Sequence, residues 1–381
     1  MTHWPATVTV GENAASEWTT LTTDADDALT PDSATGRAWD ALWHTSHEAT
    51  AFQHRAWLAA WWAGYGRPGG LRLILVWHHG RPVAGAALYL AARDPLRRLR
   101  LVGSGVSDYG DVLLAGTDRA GATRRLAAAL AGLRRPVDLR ETAPGSAAGE
   151  LAALFPRRTG AHPDSTCMDL AARNWHDTVA ALPRRSANRL NAKSRRLDRL
   201  GVRAEPTRPQ EAAAAVELLL RLHAEQWRGR GINPEHLTGR YCSLLRSAVP
   251  QLIADGCGEL VRFSVDGETV ACDLLLYWED TVAAYLNGAS PERRTQIDYS
   301  TLFVREGLSI AEKRDAKHYS FLRGCEPYKL RWHPTPHVNL RLVLGGAPST
   351  ELATAALGAS ASARDTAVAS VRALRRRRDH R

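Results

Sequence analysis

Asp273 is the most demanding side chain in the sequence. It stands in an apolar run, after Val270, Ala271 and Cys272 and before Leu274 and Leu275. A carboxylate among such neighbours needs a partner or a function, because burying an unpaired charge is costly. It could serve as a general base with a raised pKa, or orient an amine. Tyr285 and Asn287 alternate on one face of the next apolar run. There Tyr285 could protonate a leaving thiolate and Asn287 could bind substrate, ordinary sheet packing being the plainer role for Tyr285. Arg323, Glu326, Tyr328 and Lys329 crowd around Gly324, where a sharp turn is permitted. Arg323 and Lys329 suit a phosphate or a carboxylate; an ion-pair network around Glu326 is the competing reading. Asp273, Tyr285, Asn287 and Glu326 form the candidate catalytic set. They suit a reaction in which an amine attacks an acyl carbon, since that step needs a proton removed, an oxyanion met by donors and a leaving group protonated.

Other residues could line a substrate cleft. Asp298 and Tyr299 precede a helix; Asp298 suits an N-cap, and the loop would face an acyl donor. Asp108, Tyr109 and Asp111 lie in a loop bounded by Gly105 and Gly110, either as part of a groove or as a plain acidic turn. His223 and Trp227 are four residues apart on one helical face, as a cleft wall or as core. Arg185, Arg189, Arg196 and Arg199 lie along one helical stripe, either a docking face for a polyanionic donor or a solvated face. His78-His79 has no carboxylate partner in view, so no metal is expected. No Cys-His pairing stands out, so direct attack without a covalent enzyme intermediate is expected.

These residues need a scaffold. In the second half the pattern predicts a strand at 202–207, helices at 210–227 and 240–255, and strands at 259–265, 269–278 and 281–288. A helix at 300–313 and strands at 318–322 and 337–344 follow. Asp266-Gly267 between two apolar runs is a strong hairpin signal. The first half repeats the plan loosely: helices at 37–44 and 54–65, strands at 71–78, 82–91, 99–103 and 111–114, a helix at 120–133 and a strand at 137–140. Pro, Gly and His at 156–166 read as the joint. The expected domains are 1–160 and 165–345, followed by an Ala/Arg-rich tail at 347–381. The fold class is α+β, each domain a mixed, mostly antiparallel sheet flanked by helices.

The chain has 381 residues and a net charge of +10. The tail from Glu351 contributes seven arginines against three acids, and the remaining positive charge suits an acidic partner. An Arg- and Ala-rich genome is the bland explanation. Five cysteines without a CxxC pair favour a reduced, cytoplasmic protein. The longest uncharged apolar stretch, 83–92, is too short for a membrane span.

Two segments carry a family resemblance. One is Ser320-Phe321-Leu322-Arg323-Gly324-Cys325-Glu326-Pro327-Tyr328-Lys329-Leu330-Arg331-Trp332; the other is Ala51-Phe52-Gln53-His54-Arg55-Ala56-Trp57-Leu58 with Trp61-Trp62 and Tyr65-Gly66. Gly105–Asp111, Leu222–Trp227 and Arg184–Gly201 add further matches in the same order. Together they resemble the tandem-GNAT group around the CelD-like acyltransferases, distantly related to the Fem-type aminoacyl-tRNA-dependent transferases. The chain departs from that pattern at Ser320, where the group often has an aspartate, and at 292–301, which lacks the glycines of a coenzyme A pyrophosphate loop. The resemblance implies two tandem GNAT-like domains, the first degenerate, and a donor site where strands 281–288 and 318–322 splay apart. It implies an N-acyltransferase that forms an amide from a coenzyme A or phosphopantetheine thioester, the latter on an acyl carrier protein, and an amine-bearing acceptor. The Fem relationship implies aminoacyl-tRNA as the alternative donor. A non-catalytic GNAT-fold module in polysaccharide biosynthesis is the reading from a different class.

Overall fold

The computed structural model of the protein describes residues 17–91, 94–228 and 233–345. The expected tail at 347–381 lies outside the described residues. In chain order the elements are β1 (Trp18–Thr23), α1 (Ala34–Thr45), α2 (Arg55–Tyr65), β2 (Leu71–His78), β3 (Arg81–Leu90), β4 (Leu99–Leu101), β5 (Leu113–Leu114), α3 (Arg119–Gly132), β6 (Val137–Thr142) and α4 (Ala147–Ala153). Then come β7 (Thr159–Ala171), α5 (Trp175–Ala180), α6 (Arg184–Arg199), β8 (Arg203–Pro206), α7 (Ala212–Trp227), α8 (Gly239–Ala254), β9 (Gly258–Val265), β10 (Glu268–Trp278), β11 (Thr281–Ala289), α9 (Tyr299–Lys313), β12 (His318–Arg323), α10 (Pro327–Leu330) and β13 (Thr335–Leu344).

The chain forms two compact units. The first takes Met1–Arg55, Gly66–Thr166 and Val338–Arg381; the second takes Ala56–Tyr65 and Cys167–His337. Two segments therefore depart from a contiguous division at 160–165. Helix α2 belongs to the second unit apart from Arg55, and most of β13 belongs to the first.

The first unit holds a sheet in the order β1-β2-β3-β4-β6-β13, with β5 beside β3. All its pairs are antiparallel except β4 with β6. The β2–β3 hairpin turns through His79 (φ 50°) and Gly80 (φ 73°), the positive-φ pair of a type I′ turn. Ile74, Val76, Leu88, Leu126, Leu130 and Leu342 are among its buried core side chains.

The second unit has the same plan. Its order is β8-β9-β10-β11-β12-β7, antiparallel except β11 with β12. The predicted hairpin at Asp266-Gly267 forms, with φ 52° and 82°. A core containing Val261, Phe263, Leu275, Phe303, Leu308, Tyr319 and Trp332 packs around the sheet and α9. Gly288 lets α7 approach β11: a Cβ there would meet the His223 backbone nitrogen at 2.6 Å and the Leu219 oxygen at 2.7 Å.

Two expectations are corrected. The segment at 156–166 is not a joint alone, since β7 begins within it at Thr159 and continues to Ala171. Its Pro163 lies outside the residues that pair with β12, so the missing N–H breaks no bond of that ladder. The last strand does not close the second domain; residues 340–344 of β13 pair with β6 in the first unit.

Candidate active site

Strands β11 and β12 are parallel and pair at only three positions, Thr281 with His318, Val282 with Tyr319 and Ala283 with Ser320. Beyond Ala283, β11 continues for six residues without a β12 partner. At the same level β11 carries a bulge. Leu274 faces Leu286 and Leu275 faces Ala284, so Tyr285 is the extra residue. A bulge breaks the two-residue alternation and re-aims the side chain it carries. Tyr285 stacks edge-on against Trp57 of α2, with centroids 5.3 Å apart, and its hydroxyl lies 3.3 Å from that of Tyr241 on α8.

Asp273 sits directly across from Asn287 on β11. It is 2% exposed, and its Oδ1 has no hydrogen-bond partner among the described residues. Burial alone pushes the carboxyl up to about 8, so it holds its proton at neutral pH. A raised carboxyl pKa is what the sequence reading expects of this position. Tyr319, fully buried, is raised well above the usual tyrosine range, first by burial and then by the Asp273 charge.

On the α7 side, His223 is 5% exposed and its Nδ1 lies 2.6 Å from the carbonyl oxygen of Asn287. Burial lowers its pKa against the raising effect of that hydrogen bond. His236 lies 5.5 Å from His223 and stacks on Tyr241 at 4.7 Å. Burial, then His223, then Arg323 lower His236 to about 4. Trp227 completes the aromatic wall, 6.5 Å from the His223 ring.

The acetyltransferase (GNAT) domain family model matches residues 184–330, the stretch that contains this opening and both side-chain groups. Residues 184–330 therefore carry a GNAT acetyltransferase domain. The chain's fold is similar to that of FemX, at 13% identity and a TM-score of 0.55, covering 82% of this chain and 96% of that one. It is similar to L-PGS from Bacillus licheniformis, at 11% identity and a TM-score of 0.55, covering 86% and 97%. A conserved protein of unknown function from Bacteroides thetaiotaomicron VPI-5482 gives 13% identity and a TM-score of 0.54, covering 81% and 96%. At these identities the likeness is one of fold. No curated protein matches the chain.

The remaining candidates of this GNAT domain lie as follows. Lys329 is 4% exposed; its Nζ donates to the Arg323 carbonyl at 2.7 Å and pairs with Glu326 at 2.9 Å. Gly324 has φ +110°, and a Cβ there would meet the Glu326 carboxylate at 2.6 Å. The turn is thus tied to itself through the buried Lys329, while the Glu326 side chain is 47% exposed. Arg323 ends β12 and acts electrostatically on His236. Tyr328 is 38% exposed.

Asp298 caps α9, accepting from Thr301 N at 2.9 Å, and pairs with Lys193 and with Arg331 at 3.7 Å. Burial raises its pKa, but Lys193 and Thr301 outweigh it and hold the carboxyl below the usual range. A carboxylate stands where a coenzyme A pyrophosphate would use the helix N-terminus, so these residues do not fit that grip. Tyr299 is core, donating to the Ser290 carbonyl at 3.0 Å.

Asp108 and Tyr109 lie in the first unit. The Asp108 carbonyl accepts from Asn339 at 3.0 Å and that of Tyr109 from Gln53 at 3.0 Å. Asp111 accepts from the amides of Ala148, Val112 and Ala147 at 2.7, 2.8 and 3.1 Å. Helix α6 buries Leu190, Ser194 and Leu197 and leaves Arg185, Arg189, Arg196 and Arg199 exposed on the opposite side. Arg196 also donates to the Thr295 carbonyl at 3.0 Å.

Sequence reasoning missed His236, in the short turn 234–237 ahead of α8, and Tyr241 on α8; contacts distant in sequence bring His236 to His223 and Tyr241 to Tyr285. It also missed Glu17, which the β1–β2 register sets beside His78 and His79, with ligand atoms of all three within 4.8 Å of one another.

Proposed function

We propose that the second unit transfers an acyl group from a thioester to an amine at the parting of β11 and β12, forming an amide. The observation that supports this most is the three-residue parallel pairing of those strands beside a buried, unpartnered Asp273 and the Tyr285 bulge. The opening admits an acyl chain, and the bulged backbone leaves a peptide group available to the developing oxyanion. Asp273, protonated at neutral pH, gives its proton to the leaving sulfur. Asn287 and Tyr285 orient the acceptor.

The donor is held by charge on the α6 arginines rather than by a glycine loop at α9. That favours a phosphopantetheine thioester on an acidic carrier protein. The same exposed arginines support aminoacyl-tRNA as a second reading. Transfer assays with acetyl-CoA, an acylated carrier protein and an aminoacyl-tRNA separate these. With the productive donor, Asp273→Ala should lower kcat by about 10²-fold or more, the scale of a lost acid–base group. Unchanged kcat in that variant would remove Asp273 from the reaction. Replacing Arg185, Arg189 and Arg199 with serine should raise KM for the donor and reduce its salt dependence, with kcat preserved.

A further inference from the structure

The two faces of β11 meet at Asn287. Its side chain lies across from Asp273, while its carbonyl receives His223 from α7. A carbonyl oxygen can only accept, so the 2.6 Å contact requires the proton on His223 Nδ1. The neutral ring then has an unprotonated Nε2 with a free lone pair. That atom is buried and has no hydrogen-bond partner among the described residues. The rings of His236 and Trp227 lie 5.5 and 6.5 Å from the His223 ring, Tyr241 stacks on His236, and its hydroxyl lies 3.3 Å from that of Tyr285. A buried imidazole nitrogen left without a donor costs stability unless something supplies the proton it lacks.

We infer that His223 is the general base of the transfer and that its Nε2 takes the proton from the acceptor amine. The inference rests on the amide-forming reading above. As the amine nitrogen bonds to the thioester carbon, its N–H proton passes to Nε2. The C–S bond breaks, and the sulfur leaves as a thiol with the proton of Asp273. The enzyme is left with an imidazolium and a carboxylate, and return of one proton from His223 to Asp273 through solvent restores it. A lowered pKa on the histidine and a raised one on the aspartate fit these assignments: groups whose environments push them apart take opposite proton roles.

Two variants separate base from scaffold. His223→Asn places an amide N–H near Nδ1, so it retains the bond to Asn287 and lacks Nε2. His223→Ala loses both. Transfer to hydroxylamine and to n-propylamine is followed with acetyl-CoA, an acylated carrier protein and an aminoacyl-tRNA as donors. The expected result is a fall in kcat of about 10²-fold or more in both variants, with donor KM unchanged and with added imidazole restoring part of the rate in His223→Ala. Near-normal kcat in His223→Asn together with a defect in His223→Ala would show a purely structural histidine and overturn the proposal. If the parent protein transfers from none of the donors, the amide-forming reading fails and the base role falls with it; where it does transfer, long-range proton–nitrogen NMR of the imidazole gives a second check. An unprotonated Nε2 with a protonated Nδ1 at pH 7 supports the base role; a protonated Nε2 overturns it.

Discussion

In the first unit Asp138 stands on β6, beside the parallel β4–β6 pair, and is fully buried. Arg341 meets both its oxygens at 2.7 Å, and Arg98 and Arg100 approach to 3.4 and 3.5 Å. Asp94 and Asp164 are likewise met by Arg98 and Arg140, at 2.7 and 2.6 Å. In the second unit Asp273 occupies β10, next to one strand of the parallel β11–β12 pair, and meets no cation among the described residues. Burial without pairing is the sole cause of its shift. The same strand plan thus carries a neutralised ion lattice in one unit and an uncompensated acid in the other. Pairing stabilises a buried carboxylate only while all its partners remain; an unpaired one adds nothing to stability and is available for chemistry.

The largest effect should come from breaking the lattice. Asp138→Asn leaves Arg341 buried without its anion, while Arg98 keeps Asp94, so unfolding free energy should fall by about 3–5 kcal/mol in denaturant titrations. Asp273→Asn should leave stability unchanged or raised, because it removes a desolvated acid with no partner. Equal losses in the two variants would erase the distinction between the units.

A smaller contrast lies in the glycines beneath the helices. At Gly288 an added Cβ meets the backbone of α7, whereas at Gly85 on β3 it meets the side-chain ends of Leu42 and Trp39 at 2.9 and 3.1 Å. Side chains yield and backbone does not. Gly288→Ala should therefore cost about 1–3 kcal/mol and Gly85→Ala less, compared by thermal unfolding. The reverse order would indicate that α7 shifts freely over β11.

The pH dependence has a definite sign. Asp273 and Asp111 have folded pKa values raised to about 8 and about 7, both chiefly by burial, with backbone donors partly offsetting the shift at Asp111. The folded state then holds protons that the unfolded state has lost above about pH 4. Their contribution is fully present below that pH and is lost as pH rises through the folded values. Stability should therefore fall as pH rises toward these values, and Asp273→Asn and Asp111→Asn should each flatten part of that slope in unfolding experiments. The smallest effect is at the α9 cap: Asp298→Ala should cost about 1 kcal/mol by the same measurement.

Much of this was legible in the sequence where local rules govern. Asp266-Gly267 announced a type I′ hairpin, and Asp273 stood out because an ionisable group interrupted an apolar strand. Arg323–Lys329 was legible as a compact turn, although whether Lys329 would face a ligand or Glu326 depended on the φ of Gly324. What stayed hidden was set by contacts distant in sequence. The Tyr285 bulge follows from the β10–β11 register, and His223 meets Asn287 only because Gly288 lets α7 approach. Pro163 disguised the start of β7, and β13 reads as an ordinary final strand until its pairing with β6 is seen. Glu17 lies about sixty residues from His78 in the chain, so the carboxylate beside that pair could not be read from spacing.

The claim on which the account rests is that Asp273 is a buried acid without a counter-charge. Carbon-13 NMR of protein labelled at aspartate carboxyls tests it most directly, with Asp273→Asn assigning the resonance. The account predicts a signal in the protonated position at pH 7 that moves to the ionised position near pH 8. An Asp273 carboxyl already ionised below pH 5 would mean that a cation reaches it, and would contradict both its acid role and the contrast with Asp138.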